Sequence, residues 1–176
     1  NLFSLKNFTI TEVILENTNF ELNSKNSNFF INLLNNNFLD LKFKITNSNI
    51  FFKNLEGEVL FLNKIKNSEY YYDQNELKNV LFSENRIFNT SFSLKVIDHV
   101  VEKKLYTKLN LDFAKLQIEN IFNYEDDTKI GTATLLFNKK KSFINYKTNK
   151  IFFDFNYFDE LDKKKSSYNG KLNFKP

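Results

Sequence analysis

A run of eight residues constrains this chain more than any other feature. In Leu39-Asp40-Leu41-Lys42-Phe43-Lys44-Ile45-Thr46, apolar and polar side chains alternate one by one. Successive side chains of a β-strand point to opposite faces. Leu39, Leu41, Phe43 and Ile45 therefore fall on one side, and Asp40, Lys42, Lys44 and Thr46 on the other. A helix would scatter the same four apolar residues around its circumference. The pattern predicts a strand with one dry face and one wet face.

The pattern recurs along the chain. Phe92, Leu94 and Val96 alternate with Ser93 and Lys95. Leu105, Leu109, Leu111 and Phe113 share a predicted face with Thr107, opposite Tyr106, Lys108, Asn110 and Asp112. Ile151, Phe153, Phe155 and Tyr157 form another, opposite Phe152, Asp154, Asn156 and Phe158, and Tyr168, Gly170, Leu172 and Phe174 a last one. The 22 Phe and 8 Tyr suit this reading, because aromatic and β-branched residues fit a pleated, half-buried surface. Phe, Ile, Lys and Asn are also what an A/T-rich coding sequence supplies, so the Asn and Lys excess is not taken as chemistry.

Polar clusters separate the runs. Asn54-Leu55-Glu56-Gly57 lies between Asn49-Ile50-Phe51-Phe52 and Val59-Leu60-Phe61-Leu62, a hairpin signal with Gly available for positive φ. Glu125-Asp126-Asp127, Lys139 to Lys141 and Lys147 to Lys150 are further turns. Such short connections favour antiparallel neighbours, since parallel strands need long crossovers. Gln74 to Phe82, after a possible Asp73 cap, is the one stretch with a helical pattern, although Val80-Leu81-Phe82 equally suits a strand. With 3 Gly and 1 Pro for corners, the composition points to an open or elongated sheet rather than a compact sandwich.

Several kinds of chemistry lack their residues. There is no Cys for a thiolate metal site, a disulfide or a nucleophile. His99 is the sole histidine, which argues against a zinc site. Glu125, Asp126 and Asp127 lack the Gly-punctuated oxygen spacing of a calcium loop and read as a solvated turn. No phosphate loop or dinucleotide fingerprint occurs. The net charge of +4 is mild, the lysines are scattered, and Arg86 is the sole arginine, so nucleic acid is not expected as a partner. Lys139 to Lys141 and Lys163 to Lys165 read as solvated turns. Asn7-Phe8-Thr9 and Asn89-Thr90-Ser91 match glycosylation acceptors, as chance allows in so Asn-rich a chain. No apolar run approaches the roughly 20 residues of a membrane-spanning helix.

One stretch carries a resemblance. Ile45-Thr46-Asn47-Ser48-Asn49-Ile50 runs through a polar turn at Asn54 to Gly57 into Val59-Leu60-Phe61-Leu62-Asn63-Lys64-Ile65, and it resembles the hairpin of bacterial AsmA-like proteins. Lys78 to Leu94 and the closing Tyr168 to Phe174 are similar to AsmA-like chains from A/T-rich marine α-proteobacteria. The likeness covers the chain from about Phe38 onward; Thr90 stands where the family pattern has Pro. The resemblance implies a long curved antiparallel sheet in the periplasm, in a parent protein anchored in the inner membrane. It also implies an apolar groove that carries phospholipid acyl chains toward the outer membrane, in outer-membrane biogenesis.

The expectations are these. The fold is all-β, a long curved antiparallel sheet of meander topology, open or partly closed. Residues 1–176 form a single β-rich segment of a longer polypeptide, with no internal boundary. The function is non-enzymatic lipid handling, with a structural or protein-binding β-sandwich module of the envelope as the alternative and an outer-membrane barrel fragment as a third reading. The groove candidates are Leu39, Leu41, Phe43, Ile45, Phe92, Leu94, Val96, Leu109, Leu111, Phe113, Phe153 and Phe155. Expected partners are acyl chains and neighbouring segments of the same chain. No cofactor, metal or catalytic residue is expected.

Overall fold

The computed structural model describes residues 10–26, 41–125, 127–159 and 166–174. Twelve strands form one sheet: β1 (Glu12–Glu16), β2 (Asn19–Leu22), β3 (Lys42–Lys53), β4 (Val59–Asp73), β5 (Lys78–Ile87), β6 (Thr90–His99), β7 (Lys104–Leu111), β8 (Leu116–Glu125), β9 (Thr128–Phe137), β10 (Lys140–Thr148), β11 (Phe152–Asp159) and β12 (Ser166–Asn173). From β3 to β12 each strand pairs antiparallel with its chain neighbour, a long curved meander. Over the described residues it is not closed into a barrel.

The expectation of antiparallel neighbours fails at one edge. β1 and β2 both pair parallel with β3. The connection spans residues 23–41, long enough for the crossover that parallel pairing needs.

Local chemistry explains the turns. Asp73 does cap, as its spacing promised: its carboxylate accepts the Asn75 and Glu76 amides at 3.0 and 3.2 Å. It caps a turn and not a helix, because β5 already begins at Lys78, where Val80-Leu81-Phe82 pairs on both sides. The β5–β6 loop is Phe88-Asn89 and the β9–β10 loop is Asn138-Lys139, each with both residues at positive φ. That is the two-residue turn whose twist matches the strands it joins. Asn fills left-handed positions at 17, 47, 89 and 138, so part of the Asn excess has a backbone role and Gly is spared. Gly57, at φ 89°, closes the β3–β4 hairpin.

Antiparallel register partners lie on the same face, so the pairing fixes two faces for the whole sheet. One row reads Val13, Phe43, Tyr70, Leu81 and Val96 across β1, β3, β4, β5 and β6. It continues through Thr107, Asn120, Ala133, Ile144, Tyr157 and Tyr168 to β12. The opposite face carries Lys42, Lys44, Glu69, Lys95, Lys108 and Glu119. There Glu69 sits between Lys42 and Lys44 at 3.2 and 3.7 Å, and Lys108 meets Glu119 at 3.0 Å. Such exposed pairs contribute about 0–1 kcal/mol each. They keep this face wet more than they stabilise it.

Among the described residues, strands pack substantially only on their sheet neighbours and on a single 3-10 turn at Asp112–Ala114. No second layer among the described residues covers either face. The buried apolar side chains are accordingly few: Ile65, Tyr70 and Val80.

Candidate functional site: the apolar face

The face is assembled from alternation plus register. Phe43 and Ile45 sit on β3, Phe92, Leu94 and Val96 on β6, Leu109 and Leu111 on β7, and Phe153 and Phe155 on β11. All nine point to the same side of the sheet. Leu94 is opposite Leu109, which is opposite Ile118, which is opposite Leu135. All nine are half-buried, and no described layer covers them.

Three of the predicted residues are not among these nine. Leu39 lies outside the described residues. Leu41 precedes β3 and is half-buried. Phe113 does not continue β7: the chain leaves the strand after Leu111 into the 3-10 turn, and Phe113 is 71% exposed. Alternation was read two residues too far there, because Lys115 adopts a left-handed conformation (φ 48°) to begin β8. Phe113 still lines an apolar hollow of about 380 Å³ with Ile87, Phe88, Thr90, Phe92, Leu109 and Leu111.

Aromatic side chains cluster toward both ends of the face, with Phe52 stacked on Phe61 at 4.2 Å beside the β3–β4 hairpin and a second group toward β12. Tyr146 stacks on Phe153 at 5.7 Å between ring centres, Phe153 lies 5.5 Å from Phe155, and Tyr157 lies 6.2 Å from Tyr168. Gly170 is opposite Phe155, and a Cβ there would come within 2.5 Å of the ring. The ring thus occupies the space that the missing side chain leaves.

Polar groups interrupt the face at its centre. Asn63 donates to Asn85 Oδ1 at 3.3 Å and Ser83 donates to the same oxygen at 3.0 Å. Asn63 Oδ1 is buried without a hydrogen-bond partner, a costly state for an amide oxygen. Farther along, Tyr124 donates to Asp98 Oδ1 at 2.9 Å. Burial first, then that hydrogen bond and the Asp98 charge, push the Tyr124 hydroxyl up to about 12. Burial and then Asp98 raise Tyr70 as well. Tyr146 donates to Asn120 at 2.9 Å and is raised by its burial, against the lowering effect of that bond. The Tyr124 and Tyr146 hydroxyls anchor their rings at the polar ends.

The polar face has its own hollow of about 610 Å³, lined by Lys64, Lys66, Arg86, Glu84, Ser91 and Ser93 among others. Lys64 and Arg86 are directly opposite each other, while Lys66 pairs with Glu84 at 3.4 Å. His99 lies on this same face, opposite Lys78 and Lys104. Among the described residues no three His, Asp or Glu side chains gather as a metal site, and no helix is long and apolar enough to cross a membrane.

Sequence reading missed Val13, Leu15, Tyr70, Leu81, Ile118 and Ile144 on the apolar face. Alternation within Phe143-Ile144-Asn145-Tyr146 could not say which member of each pair faces the dry side. That is settled by register alone. It also missed a self-similarity: Asn17-Thr18-Asn19-Phe20 repeats as Asn47-Ser48-Asn49-Ile50, thirty residues on.

No protein family, curated protein or solved structure matches the chain.

Proposed function

We propose that the apolar face is a lipid-handling surface that takes phospholipid acyl chains, in a periplasmic protein of AsmA-like type. The carrying observation is the row from Val13 to Tyr168: it crosses eleven strands with apolar or aromatic side chains at every strand but β7 and β8, where Thr107 and Asn120 stand, and with no described layer over it. Such a surface is unfavourable in water, and each methylene it buries is worth about 0.8 kcal/mol. An acyl chain suits it better than a small polar ligand, because the face is long and mainly apolar and most of the polar groups that interrupt it bond one another. The resemblance of Ile45 to Ile65 to the AsmA-like hairpin supports the same reading and the placement between inner and outer membrane. The chain acts as a binding surface and not as an enzyme.

The rival is a protein-binding sandwich, in which a second sheet covers the same face. Photo-crosslinking from positions 43 and 111 in the intact envelope separates them. Lipid adducts at both positions are expected. Adducts to protein alone, where a control lipid carrier yields lipid adducts, remove the lipid reading. A Phe43→Glu variant adds a second measure: it keeps the fold and loses lipid on an open face, but unfolds a sandwich.

A further inference from the structure

The thirty-residue repeat is also a geometric repeat. β1 and β2 behave as one strand broken at Asn17, and they lie on β3 with an offset of thirty: Glu12 beside Lys42, Leu15 beside Ile45, Asn19 beside Asn49. Asn17 and Asn47 occupy equivalent positions, and both are left-handed, at φ 54° and 48°.

The hydrogen bonds at this step are specific. Ser48 Oγ donates back to the Thr46 carbonyl at 2.7 Å, and its lone pair accepts the Thr18 amide at 3.0 Å. Next to it, Asn49 Nδ2 donates to Asn19 Oδ1 at 2.8 Å. A left-handed Asn, a hydroxyl folded back on its own strand and a ladder amide together form the seat that receives β1–β2.

β1–β2 carries the same seat on its outer side. Thr18 Oγ1 donates back to the Glu16 carbonyl at 3.3 Å, as Ser48 does to Thr46, and no described donor reaches its lone pair. Asn19 has accepted from Asn49 and has its own Nδ2 to pass on, so the amide ladder can add a rung. This edge is unpaired among the described residues. It is also acidic, with Glu12, Glu16 and Glu21 on the polar side, where β3 presents Lys42 and Lys44.

We propose that the β1–β2 edge is a docking site for a parallel strand of the pattern Asn-(Ser/Thr)-Asn-apolar with lysines just before it, seated as β1–β2 is seated on β3. The occupant is a further strand of the same repeat chemistry. Its left-handed Asn lies beside Asn17, its following amide bonds Thr18 Oγ1, its next Asn extends the ladder from Asn19, and its lysines lie between Glu12 and Glu16. An antiparallel or randomly registered strand meets none of these four conditions. The inference does not depend on what the apolar face binds.

The probe is a fluorescent peptide of the β3 sequence, residues 42–53, titrated onto the full chain at concentrations where the peptide is monomeric. Saturable binding is expected. Thr18→Val, which keeps shape and removes the hydroxyl, is expected to weaken it about tenfold, and Thr18→Ser to restore it. The chain has no cysteine, so a disulfide from Ile14→Cys to a peptide with Cys in the Lys44 position reads the register directly. It is expected in parallel register and not from a Cys at the peptide's far end. Absence of binding, equal binding to Thr18→Val, failure of Thr18→Ser to rescue, or a disulfide only in the antiparallel arrangement each overturns the proposal.

Discussion

The Tyr124 hydroxyl reaches across β7 to donate a hydrogen bond to Asp98 on β6, at 2.9 Å. A tyrosine on β8 thereby ties together strands that do not pair. Tyr146 does the same, reaching from β10 across β9 to Asn120 on β8. On a sheet with no covering layer among the described residues, these spans hold the rows of side chains at fixed spacing.

Tyr124 also predicts alkaline behaviour. Its proton is held up to about 12 in the fold, against 10.0 for a free phenol. The unfolded chain therefore releases this proton first as pH rises. The stability it contributes is fully present below pH 10 and is lost as pH climbs from about 10 to about 12. Urea midpoints measured across that window are expected to fall, and Tyr124→Phe to flatten part of the decline. An identical slope in the variant would remove this group as a source.

Solvent labelling follows from the two faces. Leu109 and Lys108 are adjacent in β7, yet their register partners are Leu94 and Ile118 for one and Lys95 and Glu119 for the other. Single cysteines at 108 and 109 are expected to react with a charged thiol reagent at rates at least about tenfold apart, since a one-residue slip would exchange their faces. Equal rates in the folded chain would refute the assignment.

Asn47 gives a test with two contrasting variants. Its backbone is left-handed, at φ 48°. Asn47→Ala is expected to destabilise by about 1 kcal/mol, because a Cβ without a compensating polar group strains that conformation. Asn47→Gly is expected to be near neutral. Denaturant titration of the pair checks it: equal losses in both variants would mean that the side chain, and not the backbone, matters there.

Gly170 is expected to resist even the smallest change. An added Cβ would lie 2.5 Å from Phe155 Cζ, so the ring must move. Gly170→Ala should cost about 1–3 kcal/mol as an overpacked contact. Gly170→Ala combined with Phe155→Leu should recover part of it, read by thermal unfolding.

The sequence by itself determined strand identity and the two-faced character of each strand. Phe43 and Ile45 against Lys42 and Lys44 could belong to nothing else, because a period of two is a local property of the backbone. It also held the hairpin at Asn54 to Gly57 and the Asp73 cap, where a side chain bonds amides two and three residues away.

How the strands' faces combine was decided only by the tertiary structure. In β3 the apolar positions change parity, from 43 and 45 to 50 and 52. Read as one unbroken alternation, half of them would be placed in water. The left-handed Asn47 absorbs one residue, and across the β4–β5 pair the register shifts between Ile65 and Asn67. Both halves therefore stay on the dry side. Likewise, alternation carried Phe113 onward from Leu111, while the chain had already turned. Bulges, register and the parallel seat of β1–β2 depend on hydrogen bonds between residues far apart in the chain, such as Thr18 to Ser48. No local period encodes those partners, so the continuous apolar face exists only once the strands are paired.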